Sequence, residues 1–304
     1  MKVYCIGESV LDIIIKGFQP ISVVPGGSAL NSAVSLGRMG IPVTFISEVS
    51  NDQSGKFIRD FLVENNINID YFHLQDQGQT KVALAFLNDR NSADYQFYHV
   101  PISNRLNFPF PKIEKNDIIL FSSYFAIDED INEKLVEFLS YAKSKGAFLY
   151  YDINFRKPHL KELESSLPKI KKNMELSHVI KGSDDDYHLV FQYAFEDWVN
   201  FSLKYPDKIH IRSAAENPVC FSYQGKTLSF PVNPIVPESS VGAGDNFNAG
   251  FVYGYYQFFQ KNNENPIFDD FEKIIKTANG FARECCLSRE NYITKEQVAN
   301  VIHI

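Results

Sequence analysis

Short apolar runs alternate with longer stretches of helical periodicity along nearly the whole chain. Such a pattern buries its apolar residues best in a mostly parallel sheet with helices on both faces, an α/β fold. Strands are expected near 3–7, 43–48, 117–121, 147–152, 178–180, 208–212 and 219–223, and helices near 28–39, 54–65, 130–145, 187–204, 245–261 and 269–287. Sheets of this kind bind ligands at the carboxyl ends of their strands. Asp12, Asp152 and Asp245 all fall at or near such ends. Two segments break the alternation: Ile13 to Phe18, and the pair Lys81 to Leu87 and Tyr95 to Val100 joined through Asp89-Arg90-Asn91. Both read as extra β structure, the second as a hairpin.

At 304 residues and 44% hydrophobic content, the chain suffices for one large core, and no repeat, low-complexity linker or charge block divides it. A single domain over residues 1–304 is therefore expected. The net charge of −7 and the lack of a basic, aromatic-interleaved stripe argue against nucleic acid or an anionic membrane surface as partner. The chain opens directly on the apolar stretch Val3-Tyr4-Cys5-Ile6 and no run approaches membrane-spanning length, so a cytoplasmic location is the expectation. Cys5 and Cys220 lie in apolar strands, Cys285 and Cys286 are adjacent on a helix, and no cysteine or histidine spacing suits zinc. Trp198, amid Phe191, Phe195 and Phe201, reads as core.

The richest chemistry lies in Ser239-Ser240-Val241-Gly242-Ala243-Gly244-Asp245, a small-residue turn feeding a helix with one carboxylate at the junction. Gly242 and Gly244 allow backbone geometries closed to other residues, and the helix start aims free amides and a positive dipole end at one spot. That is an anion cradle. Beside bound phosphate an aspartate repels unless it takes a proton from the attacking group, so the motif points to phosphoryl transfer onto a hydroxyl. The plainer reading, Asp245 as a helix cap after a tight turn, stays open from this segment alone. The spacing is neither a Rossmann fingerprint, whose third glycine would fall on Phe247, nor a Walker A loop.

Pro25-Gly26-Gly27 followed by a helix through Asn31, closed by Gly40 and Pro42, repeats the logic. Leu30, Ala33, Val34 and Met39 form one apolar stripe, leaving Asn31 to face a cleft as donor and acceptor for a polyol, or to serve as a buried structural amide. Gly250 and Gly254, four apart in the following long helix near the other end, predict close approach to the sheet.

Taken together, Gly7-Glu8-Ser9-Val10-Leu11-Asp12, Gly26-Gly27 with Asn31, Asp152-Ile153-Asn154-Phe155-Arg156 and Gly242-Ala243-Gly244-Asp245 occur in the order seen in the PfkB, ribokinase-like carbohydrate kinases, from about residue 3 to about residue 290. The Asp-x-Asn-x-Arg sequence resembles the fructokinase branch. The resemblance implies a ribokinase-like fold with a small β lid formed by about 12–18 and 81–100, and Mg-ATP as phosphoryl donor. It implies Asp245 as catalytic base and Gly242, Ala243 and Gly244 as the anion hole. Asp12, Gly26, Gly27 and Asn31 would hold the sugar, and Arg156 would lie at the sugar and phosphate side of the cleft. Ser183, Arg212, Ser213 and Asn279 would face the nucleotide, with Asp186 toward Mg2+. A homodimer joined through the lid is a further implication, with Phe97 and Tyr98 packing on the sugar, on a second lid, or within their own sheet.

Departures cluster on the nucleotide side. The family's Asn-Glu-x-Glu becomes Ser183-Asp184-Asp185-Asp186, which would hold magnesium through water. Its glycine-bearing phosphate loop becomes Arg212-Ser213-Ala214-Ala215-Glu216-Asn217, where Asn217 is the residue suited to left-handed geometry and Arg212 either reaches a phosphate or is solvated. Ser239 replaces the usual aspartate before the anion hole. The reading is ATP-dependent phosphorylation of fructose or a related hexose. The alternatives are a sugar acid such as 2-keto-3-deoxygluconate, held by Arg156 or Arg105; a nucleoside between aromatic rings; and a sugar-binding protein without catalysis.

Overall fold

Four-residue apolar strands with every side chain buried belong in the middle of a sheet covered on both faces, and Val3-Tyr4-Cys5-Ile6 is one of them. The computed structural model describes residues 1–88 and 93–302. In chain order the first half holds β1 (Val3–Ile6), β2 (Val10–Lys16), β3 (Gln19–Gly26), α1 (Ser28–Arg38), β4 (Val43–Ser50), α2 (Gln53–Glu64), β5 (Phe72–Gln75), β6 (Gln79–Leu87), β7 (Ala93–Val100), β8 (Ile118–Ser122), α3 (Glu129–Ser144) and β9 (Phe148–Asp152). There follow α4 (Leu163–Leu176), β10 (Val179–Ser183), α5 (Asp184–Phe191), α6 (Phe195–Lys204), β11 (Ile209–Ala214), β12 (Asn217–Tyr223), β13 (Lys226–Phe230), α7 (Ala243–Asn262), α8 (Phe271–Cys286) and α9 (Val298–Ile302).

Among the described residues the main sheet runs β13-β12-β11-β10-β9-β8-β1-β4-β5. It is parallel from β11 to β5, and β12 and β13 add antiparallel strands at one edge. Successive side chains of β1 feed two cores: Val3 and Cys5 join α1, α2, α7 and α8 on one face, while Tyr4 and Ile6 join α3, α4, α5 and α6 on the other. Trp198 is fully buried in the second core. Because β1 lies between β4 and β8, connections leave it in both directions, and the crevice at its carboxyl end is the topological switch point where such sheets bind ligands.

A second, four-stranded sheet, β3-β2-β6-β7, is the lid. Strand β3 completes it and was not expected; its Val23 and Val24 are separated from β2 by a turn with Gly17 at φ 62°, a conformation that suits glycine. The expected turn Asp89-Arg90-Asn91 lies outside the described residues. Register puts Asp12, Ala83 and Phe97 on one face of the lid and Leu11, Val82 and Tyr98 on the other. Phe97 and Tyr98 therefore cannot share a partner. Lys81 ties the lid to the body through Glu8 at 3.0 Å, with its ammonium 4.6 Å from the Phe97 ring centroid.

Three expectations need correction. The helix expected over 187–204 is two helices, because Gln192 turns left-handed at φ 57° and Asp197 caps a new start by accepting from the Ala194 amide at 3.0 Å. Gly250 and Gly254 approach α8, not the sheet: a Cβ on Gly250 would lie 2.7 Å from the Ala278 Cα, and one on Gly254 3.3 Å from the Ile274 Cα. The left-handed residue between β11 and β12 is Ala215, at φ 44°, while Asn217 has already joined β12.

Candidate active site

Two helix starts meet at the switch point, and glycine geometry places both. Gly242 precedes α7 with φ 80°, and a Cβ there would fall 2.2 Å from the Asn291 carbonyl oxygen. Gly27 precedes α1 with φ 123°, and a Cβ there would fall 2.1 Å from the Glu8 carbonyl oxygen. Neither position accommodates a side chain. Asp245 consequently sits in the first turn of α7, three positions after the Gly242 cap, with 5% of its surface exposed. Ser28 Oγ donates to its Oδ1 at 2.6 Å and Asn31 Nδ2 to its Oδ2 at 2.8 Å, so α1 fixes both oxygens of a carboxylate carried by α7. Ser122 Oγ, at the end of β8, donates in turn to Ser28 Oγ at 2.9 Å. The positive ends of two helix dipoles face this spot and favour an anion held there.

Asp12, on β2, is the second carboxylate of the cleft and lies against the Gly26 backbone, where a Cβ would fall on its Oδ2. Burial, with Asp245 and Glu8 adding like charge, pushes its carboxyl up to about 7, while a hydrogen bond from Asn291 Nδ2 at 2.9 Å opposes the rise. Asn31 Oδ1 and Asn291 Oδ1 are buried acceptors without a donor among the described residues. An orphaned buried acceptor costs about 1–3 kcal/mol, so a ligand rich in hydroxyl donors suits this side of the cleft.

On the opposite side Lys181 rises from β10 with its side chain 4% exposed, paired to Asp152 Oδ2 at 3.0 Å. Its ammonium would stand 3.1 Å from a Cβ on Gly244, which puts a fixed positive charge directly under the glycine turn. Asn248 Nδ2, one turn along α7 from Asp245, donates to the same Asp152 oxygen at 2.7 Å. Burial raises the Asp152 carboxyl and Lys181 draws it back. Sequence reading missed Lys181, Ser28 and Asn291. A lysine inside the apolar run Val179-Ile180-Lys181 was the one available signal for the first.

The nucleotide-side expectations fare unevenly. Ser183 is the N-cap of α5 in a reciprocal capping box with Asp186. Asp186 Oδ2 accepts from the Ser183 amide and hydroxyl, both at 2.7 Å, and its Oδ1 accepts from the Phe155 amide at 2.6 Å. Its carboxylate thus holds two loops together and has little left for a metal ion. Among the described residues no three carboxylates, histidines or cysteines gather as a metal site. The chain therefore fits magnesium only as a companion of nucleotide phosphates, which suits an ion that keeps most of its waters. Arg212 is neither solvated nor free: it is buried, pairs with Asp184, donates to the Ala194 carbonyl at 3.0 Å and lies over the Phe195 ring. Ser213 is half-buried at the β-bulge that ends β11, and Asn279 is half-buried in the middle of α8. Arg156 is exposed in the loop after β9. Arg105 is spent on Glu48 at 3.0 Å and Asp128 at 3.2 Å.

A model described as the pfkB family carbohydrate kinase matches residues 2–297. The chain is 26% identical over 300 residues to a probable chloroplastic fructokinase-6 of Arabidopsis thaliana, covering 93% of this chain and 76% of that one. It is 25% identical over 248 residues to a 5-dehydro-2-deoxygluconokinase of Geobacillus thermodenitrificans, covering 75% and 71%. The fold superposes with a TM-score of 0.87 on a fructokinase of Vibrio cholerae O395 in a form bound to fructose, ADP and calcium ion, at 17% identity over 99% of this chain and 98% of that one.

Proposed function

Since the chain belongs to the pfkB family of carbohydrate kinases, and is thus a sugar kinase rather than a binding protein without catalysis, we propose that it transfers the terminal phosphoryl of Mg-ATP to a primary hydroxyl of a neutral hexose, with fructose first among candidates. The observation that carries this reading is the Asp245 carboxylate, held on both oxygens by α1 at the start of α7.

In this mechanism the sugar lies between Asp12, the Gly26-Gly27 backbone and Asn31, whose orphaned oxygen takes a hydroxyl proton donor. The reacting hydroxyl donates to Asp245, which accepts its proton as the oxygen attacks phosphorus in line and the bond to the β-phosphate oxygen breaks. Charge on the transferring group is met by the amides of Gly242, Ala243 and Gly244 and by Lys181 beneath them. Magnesium would arrive with the nucleotide, held by its phosphates and by water, and would supply charge that offsets theirs. Ser183, Ser213 and Asn279 lie toward the nucleotide, and Asp186 acts on it through the loops it fixes. Closure of the lid excludes water that competes with the sugar for phosphate.

Charge pairing supports a neutral acceptor. A sugar carboxylate needs a cation, but Arg105 is committed to Glu48 and Asp128 and Lys81 to Glu8, while two acidic side chains, Asp12 and Asp245, line the cleft. Arg156 remains for the phosphate side. The lid face opposite Asp12 exposes Val23, Phe86 and Tyr98, and a second copy packed there would make the homodimer. ADP release from Mg-ATP, measured over fructose, other hexoses, pentoses, sugar acids and nucleosides, tests the reading. Turnover on a hexose that Asp245→Asn lowers by about 10²–10⁴-fold is expected. Undiminished turnover in that variant, or a sugar acid as best acceptor, contradicts it.

A further inference from the structure

Asn291 lies far from every motif, in the polar segment between α8 and α9, yet it is completely buried between the two halves of the cleft. Its Nδ2 donates to Asp12 Oδ2 at 2.9 Å, bridging 279 positions of sequence, and stands 3.4 Å from where a Cβ on Gly26 would be. Its main-chain oxygen accepts from Asn246 Nδ2 at 2.9 Å, and Gly242 is closed over that same oxygen. Its Oδ1 has no donor. Leaving one buried acceptor empty is costly, and this acceptor, unlike that of the buried Asn173 on α4, lies beside Asp12 and the glycine turns of the cleft.

We propose that Asn291 is an acceptor-binding residue: its Nδ2 orients the Asp12 carboxylate, its Oδ1 receives a second hydroxyl of the sugar, and its backbone holds the Gly242 turn at a fixed distance from both. The inference rests on the sugar kinase reading and deepens it, because it makes one side chain responsible for registering the sugar against the anion hole. The groups that face Asp12 are Glu8 after β1, Asp245 on α7, and Asn291 and Tyr292 in this segment; Asp245 and Glu8 add like charge, burial keeps the Tyr292 phenol neutral, and Asn291 is the one that favours the charged carboxylate. Losing it must push Asp12 toward the neutral form.

The test is steady-state kinetics of Asn291→Leu, which keeps the volume and removes donor and acceptor together. The acceptor KM should rise at least about tenfold while the ATP KM stays within about twofold, and the acid limb of acceptor kcat/KM should move up by about one pH unit. Asn291→Ser, which retains a hydroxyl, should recover part of the acceptor KM, and gives the same readout if the leucine variant does not fold. A variant that melts lower but keeps the wild-type acceptor KM and pH profile would show a structural role only and overturn the proposal. Should wild type phosphorylate no sugar, the kinase reading itself fails. A ¹³C titration of the Asp12 carboxyl in wild type and Asn291→Ser then decides this inference separately: an upward shift supports it and an unchanged titration overturns it.

Discussion

Asp12 occupies a place where a carboxylate is costly to ionise, buried and flanked by two like charges, and its carboxyl is raised to about 7. An unfolded aspartate titrates near 3.9. Between about pH 4 and pH 7 the folded chain therefore keeps a proton that the unfolded chain has lost, and stability falls as pH rises through that window. The penalty reaches at most about 4 kcal/mol above pH 7. Asp12→Asn should accordingly melt higher than wild type at pH 8 and lose that advantage at pH 4, while sugar binding weakens at both. Equal melting temperatures of the two proteins at pH 8 would contradict the raised value. The same residue shows why motifs point to a carboxylate but not to its state: Asp12 is visible in Gly7 to Asp12 of the sequence, whereas its proton affinity depends on Asp245 and Asn291, which arrive from the far end of the chain.

Helices α7 and α8 pack so closely that Gly250 touches the Ala278 backbone and Phe281. The glycine pair was legible in sequence; its partner was not, because spacing says that something comes close without saying what. Gly250→Val should cost about 1–3 kcal/mol through overpacking. A lower urea midpoint at unchanged slope would register it, and an unchanged midpoint would show that the two helices can separate freely. The break between α5 and α6 was invisible for a related reason. Phe191 to Phe195 contains neither glycine nor proline, and the turn is stabilised from outside, by Arg212 donating to the Ala194 carbonyl, which also accepts the Trp198 amide that opens α6.

At the scale of the whole molecule, polar points that join the lid to the body include Lys81 to Glu8, Thr80 to Asp52, and Asp12 to Asn291. Its outer face leaves Val23 49%, Phe86 42% and Tyr98 52% exposed. If a second lid covers it, Val23→Asp with Tyr98→Asp should sediment as a monomer where wild type sediments as a dimer, and should keep its far-ultraviolet circular dichroism. A wild-type protein that is monomeric at micromolar concentration removes the lid-mediated dimer. No helix among the described residues is long and apolar enough to cross a membrane.

What the sequence determined by itself is whatever depends on neighbours in the chain. Alternating apolar periods specified the parallel sheet and its helices, and Gly27 and Gly242 specified turns whose φ values of 123° and 80° suit no residue with a side chain. Those turns in turn put Asp245 at a helix start. The tertiary structure decided which polar groups face each other: Lys181 under Gly244, Asn291 on Asp12, Asp186 consumed by its capping box, and Arg212 buried against Asp184. Backbone conformation and periodicity are local and are written in consecutive residues. A side chain's partner, its desolvation and its charge are set by strands and helices that meet only when the chain has folded.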